Sequence, residues 1–429
     1  MALNRTGAMR RLSTNVVPML MSLVVAATSG AQPSAPLSRA VEDLRLDGAE
    51  RDFSRVGFVL VRPDGVIAMA ETQDYRLRFF DPAGRQIAMF GQRGAGPGEF
   101  APRSGTPPTP DIRGGTLGDT VWVYDGTLRR FTLIAPDASL KRTFALPAYL
   151  PGWTGGGPEA RETATRALLN FTVSGLLGDG RILGQGTFGT RTSVRQPNGR
   201  LTLMSRGTDQ HYGVVGGDSE RFLPVTDQPE NTAGVEVTRA GGLQTWWLLV
   251  PFRRSAIEHV AQDGDRVLIV TYDITSNTGG SFIVRVVRAS GDTVVHRSYP
   301  FAGKPISRAR ADSAVKDRMA GYRGGPNRAP SVAPDVADEL ERKIRAAMPG
   351  VEAPLWSALL GLDYTIWLGL RGEPGQSRRY LVLDERGNPW RTVELPVGAG
   401  SVVRANRTTV WTTEYDADGL ASIVRYRIN

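Results

Sequence analysis

The chain contains no cysteine, which excludes disulfides, thiolate metal sites, cysteine nucleophiles and a lipid-modified N-terminal cysteine. Core packing and strand ladders alone must hold the fold. Lysine is nearly as scarce. Lys141, Lys304, Lys316 and Lys343 are the four, and the other 48 of the 52 basic residues are arginine. Histidine occurs three times, at His211, His259 and His296, isolated from one another on different expected units. That scatter favours histidines satisfied in the core or at the surface over a shared metal site. Beyond the first 31 residues no apolar run approaches a membrane span. Runs of five or six like charges are also missing, and the net charge of +9 falls to about +6 once Arg5, Arg10 and Arg11 are set aside. A nucleic-acid-binding protein would carry a clustered basic face or a recognisable module, and the chain has neither, so no nucleic-acid partner is expected.

Glycine, by contrast, is abundant: 50 residues of 429, with 28 prolines, spread along the chain rather than massed in one tract. Such a distribution suits many short strands joined by tight turns. The apolar share of 41% gives a chain of this length ample material for a core. Residues 1–31 read as a secretory signal peptide. Arg5, Arg10 and Arg11 form the basic segment, Val16–Thr28 the apolar one, and Ser29-Gly30-Ala31 the small residues before a cut at Gln32. A short membrane anchor is the alternative, against which Pro18 interrupts the run. The expected location is periplasmic or secreted, with no membrane span after removal of the signal.

The strongest pattern is a repeat. Arg62-Pro63-Asp64-Gly65 leads into Val66–Ala70, Leu117-Gly118-Asp119 into Thr120–Tyr124, and Gly178-Asp179-Gly180 into Arg181–Leu183. Gln262-Asp263-Gly264 leads into Arg266–Tyr272, Gly361-Leu362-Asp363 into Tyr364–Leu370, and Ala405-Asn406 into Thr408–Thr413. A polar turn followed by a short apolar strand is a hairpin signal, since Gly and Asn accept the positive φ of tight turns. Second hairpins follow most of these units, as at Leu77–Gly84 running into Arg85–Phe90. Two hairpins in succession make a four-stranded antiparallel meander, the unit of a propeller blade. The expectation is therefore an all-β fold, a six-bladed β-propeller over residues 32–429 with a small helical insertion at about 304–348. There Val336, Leu340 and Ile344 fall on one helical face, Pro334 suits a first turn, and Arg323–Pro334 reads as a loop between two helices. Gly152–Arg166 and Arg206–Gly242 read as inserted loops. The last unit lacks a fourth strand, and Ala40–Leu46 is the expected partner for Ser422–Ile428 that closes the ring. A β-sandwich with a separate helical domain is the alternative, and six similar units fit it poorly.

Phe90-Gly91-Gln92-Arg93-Gly94-Ala95-Gly96-Pro97-Gly98-Glu99-Phe100 resembles the blade-junction signature of NHL-type propellers, preceded as in those repeats by a Phe80-Asp81-Pro82-Ala83-Gly84 turn. The order of features along the mature chain is similar to that of exported bacterial six-bladed propeller proteins. Phe144-Ala145-Leu146-Pro147 and Glu394-Leu395-Pro396 keep only the ending of the junction. The resemblance implies the fold rather than an activity, because propellers host enzymes, scaffolds and receptors alike.

Candidate chemistry is sparse. The Gly94–Gly98 loop lacks the following helix and the Lys and Ser/Thr that a phosphate cradle needs, so it reads as a structural junction. Glu71, Asp125, Asp273, Glu414 and Asp416 lie at or just past strand ends in separate units. Converging near the axis they would suit calcium, as in gluconolactonase-like hydrolases; capping strand ends and pairing with arginines is the favoured role. No serine–histidine–acid set is recognisable. Trp246-Trp247 followed by Arg253-Arg254 forms the best candidate binding feature, since Trp and Arg dominate interface hot spots, although alternation should send one of the two tryptophans into a core. Together these features favour a monomeric, non-enzymatic binding module for a protein, peptide or glycan, with no cofactor. A divalent-cation-dependent propeller hydrolase or lyase, using Asp125, Asp273 and Glu414 to hold calcium, is the alternative.

Overall fold

The computed structural model describes residues 35–103, 110–148, 167–195, 201–216, 219–227, 234–238, 245–274, 278–324, 331–373 and 375–429. The expected signal peptide and the Gly152–Arg166 loop lie outside them. Four antiparallel four-stranded meanders follow one another along the chain. The first is β2 (Val56–Val61), β3 (Ile67–Glu71), β4 (Arg76–Phe80) and β5 (Gln86–Phe90). The second comprises β6 (Ile112–Leu117), β7 (Thr120–Asp125), β8 (Arg130–Ile134) and β9 (Leu140–Ala145). A third contains β10 (Ala167–Leu176), β11 (Ile182–Arg195), β12 (Leu201–Gly216) and β13 (Ser219–Asp227). After a ribbon of β14 (Gly234–Thr238) and β15 (Thr245–Leu249) comes the fourth, β16 (Ile257–Val260), β17 (Arg266–Asp273), β18 (Gly279–Arg288) and β19 (Thr293–Ala302).

The remaining strands form one eight-stranded sheet. Its members are β20 (Leu355–Leu360), β21 (Ile366–Leu370), β22 (Arg379–Leu383), β23 (Pro389–Glu394), β24 (Ser401–Ala405), β25 (Thr409–Tyr415), β26 (Ala421–Ile428) and the N-terminal β1 (Leu37–Leu46). They run in the order β20-β21-β22-β23-β1-β26-β25-β24. The expected pairing of the N-terminal stretch with the last strand is present, from Ala40 opposite Ile428 to Leu46 opposite Ile423. The first residues of β1 do something the repeat pattern did not anticipate: Leu37–Arg39 run parallel to Thr392–Glu394 of β23 and weld the two meanders into one sheet.

Burial separates the second strands of the first two units from their last strands. Every residue of β3 and β7 is buried, whereas β5 and β9 are largely exposed. A strand packed on both faces must read as a continuous apolar run, and a rim strand need not. The first strands lie beside one another, β2 next to β6 and β24, β6 next to β10, and β16 next to β20. Bonds between meanders extend the series, Thr116 N to Gln262 O at 3.0 Å and Leu362 N to Ala405 O at 2.8 Å. Meanders set side by side with their first strands innermost make this an all-β, propeller-like fold.

Two readings of the inserts meet different outcomes. The helical insertion is there, as α1 (Arg308–Arg323) and α2 (Pro334–Ala346), with Ser307 Oγ capping α1 through the Arg310 amide. Its core joins Val315 and Met319 to Val336, Leu340 and Ile344, and the β14–β15 ribbon packs on it through Val237 and Leu248. The stretch Arg206–Gly242, expected as loop, instead carries most of β12 and all of β13 and β14. Glycines disguised those strands. A Cβ on Gly213 would lie 2.4 Å from the Phe222 ring, so glycine there makes room for an aromatic neighbour rather than marking a turn.

Candidate functional site

The acids at the ends of the second strands are occupied locally. The Glu71 carboxylate is fully buried, accepts from the Ser54 amide at 3.1 Å, and pairs with Arg76 and Arg78, each at 2.6 Å. Asp125 accepts from the amides of Ala101, Thr127 and Leu128, all at 2.8 Å. Glu414 accepts from the Gly400 amide at 3.3 Å, from Tyr426 Oη at 2.5 Å and from Arg45 at 2.9 Å. Burial pushes the Glu414 carboxyl up, but the bonds from Tyr426 and Arg45 outweigh it and leave the group below the usual range. One device recurs. The acid closing the second strand binds a backbone amide of the segment leading into the first strand of the same unit. Asp416 lies past its strand and caps its own turn through the amides of Asp418 and Leu420. Asp273 is exposed and has no side-chain bond among the described residues. The structure does not bring Asp125, Asp273 and Glu414 together, and among the described residues no group of three His, Asp or Glu side chains could hold a metal ion.

The fourth and fifth units depart from this device, and basic residues gather where they do. In the fifth, Arg371 stands just past β21, and its Nε donates to Ala353 O at 3.2 Å. Its guanidinium also meets Glu352, a buried carboxylate, at 3.3 Å, and Arg310 from the first turn of α1 pairs with the same carboxylate. Arg310 lies over the Phe252 ring, 4.9 Å from its centroid. Phe252 has φ of 62°, a left-handed conformation that costs a bulky residue about 1–3 kcal/mol and that the surrounding contacts must enforce. Arg253 follows half-buried and Arg254 exposed. Burial and the like charge of Arg254 both hold the Arg371 guanidinium below its ordinary range, and burial pushes the Tyr272 hydroxyl up. Two guanidinium groups thus share one buried carboxylate, with Arg254 near Arg371 and the Phe252 ring beneath Arg310.

The tryptophans divide differently from the arginines. Trp246 packs half-buried against the insertion core, as alternation required of one member of the pair, so it is not a free anchor. Trp247 sits in β15, but its side chain lies outside the described residues.

Sequence reasoning missed the axis. Gln262, in the turn after β16, reaches three other units: its Oε1 accepts from Val61 N at 3.1 Å and Arg404 Nε at 2.7 Å, and its Nε2 donates to Val61 O at 2.7 Å and Thr116 Oγ1 at 3.0 Å. Gly115 lets this hub close, since a Cβ there would come within 2.3 Å of Gln262 O. Outside it opens a cavity of about 430 Å³ lined by Gln262, Asp263, Asp363, Tyr364, Asn406 and Trp411. Its polar groups largely serve turns: Asp263 accepts from Tyr364 Oη at 2.5 Å, and Asn406 from the Thr408 amide at 2.9 Å. His259 Nδ1 accepts from the Leu360 amide at 3.1 Å, and burial followed by the Arg404 charge pushes its pKa down to about 3. A polar residue inside a turn motif carries no sequence signal for such a role.

The glycine-rich junction is structural. Arg130 donates to the carbonyls of Ala95, Gly96 and Glu99, each at 2.8 Å, while the Glu99 carboxylate takes the Gly96 amide at 2.6 Å. The loop turns carbonyls toward a cation, the opposite polarity from a phosphate cradle.

No family model matches the chain, and no curated protein matches its sequence. Solved structures with a similar course include a member of the DUF4221 family from Bacteroides vulgatus, at 10% identity and a TM-score of 0.45, covering 91% of this chain and 98% of that one. A virginiamycin B lyase from Staphylococcus aureus follows at 9% identity and 0.36, covering 90% and 98%. A putative gluconolactonase gives 9% and 0.33, covering 91% and 92%. At these identities and TM-scores the likeness says nothing of activity.

Proposed function

We propose that the chain is an exported six-bladed propeller, NHL-like at its first junction, that acts as a binding module for a protein, peptide or glycan. Dividing the eight-stranded sheet at β1, into β20–β23 and β24–β26 with β1, supports the count of six. The observation that carries the binding reading is the pairing of Arg310 and Arg371 on the one buried carboxylate of Glu352, with the charge of Arg254 beside Arg371 and the Phe252 ring under Arg310. Arginine and aromatic rings at a charge-imbalanced surface favour a partner that presents carboxylates. Calcium-dependent hydrolysis draws no comparable support, because Asp125 and Glu414 cap strands in different sheets.

The test is a peptide and glycan array probed with the purified chain and with an Arg254→Glu/Arg371→Glu double variant. Ligands retained by the wild type should be rich in carboxylates and lost by the variant. Equal binding patterns for the two proteins would sink the reading.

A further inference from the structure

The cavity outside the Gln262 hub is walled by the turns between first and second strands of five units, at β2–β3, β6–β7, β16–β17, β20–β21 and β24–β25. It lies at the opposite end of the second strands from Glu71, Asp125 and Glu414. Its acceptors include two half-buried carboxylates that no cation neutralises. Asp263 takes the Asp265 amide on one oxygen and Tyr364 Oη on the other, which leaves a lone pair on each. Asp363 takes Thr365 N and Oγ1 on one oxygen and the Arg407 amide on the other. Among the described residues neither forms an ion pair: the Arg407 side chain reaches Glu385, and Arg266 stands 3.7 Å from Asp265.

Donors in the same wall lack acceptors. Asn406 spends Oδ1 on Thr408 and Thr409, and its Nδ2 has no bond among the described residues. Trp411 is 5% exposed and its Nε1 makes no hydrogen bond. Trp367, at the matching position of the preceding unit, donates to Thr365 Oγ1 at 3.0 Å. Trp411 has Thr409 two residues before it and does not reach it. A buried donor left without an acceptor calls for an explanation. Tyr364 completes the wall with φ of 62°, held by its bond to Asp263 and by the Arg266 guanidinium 3.6 Å from its ring centroid. Backbone outliers of this kind gather at ligand clamps.

The mixture of groups selects the chemistry of a ligand. An anion would face Asp263 and Asp363, and a cation would leave Asn406 and Trp411 unmet. A hydroxyl both donates and accepts. We propose that this cavity of about 430 Å³ binds a neutral polyhydroxylated ligand, a mono- or disaccharide. Its hydroxyls donate to Asp263 and Asp363 and accept from Asn406 Nδ2 and Trp411 Nε1. The site is independent of the Arg310–Glu352–Arg371 site.

Saturation-transfer NMR on the full chain tests it, with glucose, galactose, mannose, maltose, lactose and cellobiose as probes and putrescine and succinate as charged competitors. At least one sugar should receive saturation and titrate to a single site, and neither charged competitor should displace it. Asn406→Asp keeps the acceptor that the turn needs and removes the NH2 group, while Trp411→Phe keeps a ring and removes the N–H. Each should weaken the sugar at least about fivefold, the loss of one hydrogen bond. If Trp411→Phe fails to fold, Asn406→Asp decides alone. Trp122→Phe, whose Nε1 is also unpartnered but which is not part of the cavity wall, should bind like the wild type. So should Arg254→Glu/Arg371→Glu, which separates failure here from failure of the carboxylate reading. Saturation of none of the sugars, displacement by putrescine or succinate, or full affinity in Asn406→Asp would overturn the proposal.

Discussion

The Asp125 carboxylate accepts a hydrogen bond from the Ala101 amide at 2.8 Å, tying the end of β7 to the segment that leads into β6. Thr127 and Leu128 donate to its other oxygen, so a single buried side chain satisfies three backbone amides. Alanine would leave all three without an acceptor. Each buried unpaired donor costs about 1–3 kcal/mol, and relaxation of the loop recovers part of it. Asp125→Ala should therefore lower unfolding free energy by about 2 kcal/mol or more in urea titrations. Asp273→Ala, at the corresponding position but exposed and unbonded, should change it by less than about 0.5 kcal/mol.

The same geometry predicts indifference to calcium. A calcium ion takes six to eight oxygens, and Asp125 and Glu414 already accept protein donors in separate sheets. Differential scanning fluorimetry with millimolar calcium, against magnesium and chelator controls, should give one melting temperature. A calcium-specific rise abolished by Asp125→Asn or Glu414→Gln would revive the hydrolase reading.

His259 should make the protein acid-sensitive. Its folded pKa is depressed to about 3, first by burial and then by Arg404, against about 6.5 when unfolded. Between those values the unfolded chain binds a proton that the folded chain refuses. Stability is thus complete above about pH 6.5 and falls as pH drops toward 3, by an amount on the order of a few kcal/mol. Replacing it by asparagine, whose Oδ1 can still accept from the Leu360 amide, should flatten the melting temperature between pH 7 and pH 4. An unchanged slope in His259→Asn would show that other groups set the acid limit.

Much of the architecture was legible because hairpins leave local marks. Asp64-Gly65 and Asp263-Gly264 announce turns, and Val336, Leu340 and Ile344 announce a helix, since each pattern needs only neighbours in sequence. The β1–β26 pairing was legible by subtraction, one unit lacking a strand and one strand lacking a unit. What escaped depended on contacts between distant segments. Gly213 of β12 faces the Phe222 ring from another strand, and its stretch reads as loop without that ring. Of the candidate residues, Arg254 acquires meaning only beside Arg310 and Arg371, from two other segments. Gln262 and Arg404, 142 residues apart, carry no motif at all.

The helical insertion offers a last prediction about cooperativity. Leu340 is fully buried between α1, α2 and the β14–β15 ribbon, in a cluster separate from the cores of the sheets. Truncating it leaves a cavity that costs about 2–5 kcal/mol wherever the loss is felt. The insertion is fastened to the sheets chiefly by Arg310 on Glu352 and by the Pro305–Val351 bridge. A cluster so attached should open by itself before the sheets do. Hydrogen exchange on Leu340→Ala should show lost protection across 308–346 and 234–249, with β3, β7 and β21 unchanged. Uniform loss across the sheets would mean instead that the insertion and the propeller unfold as one unit.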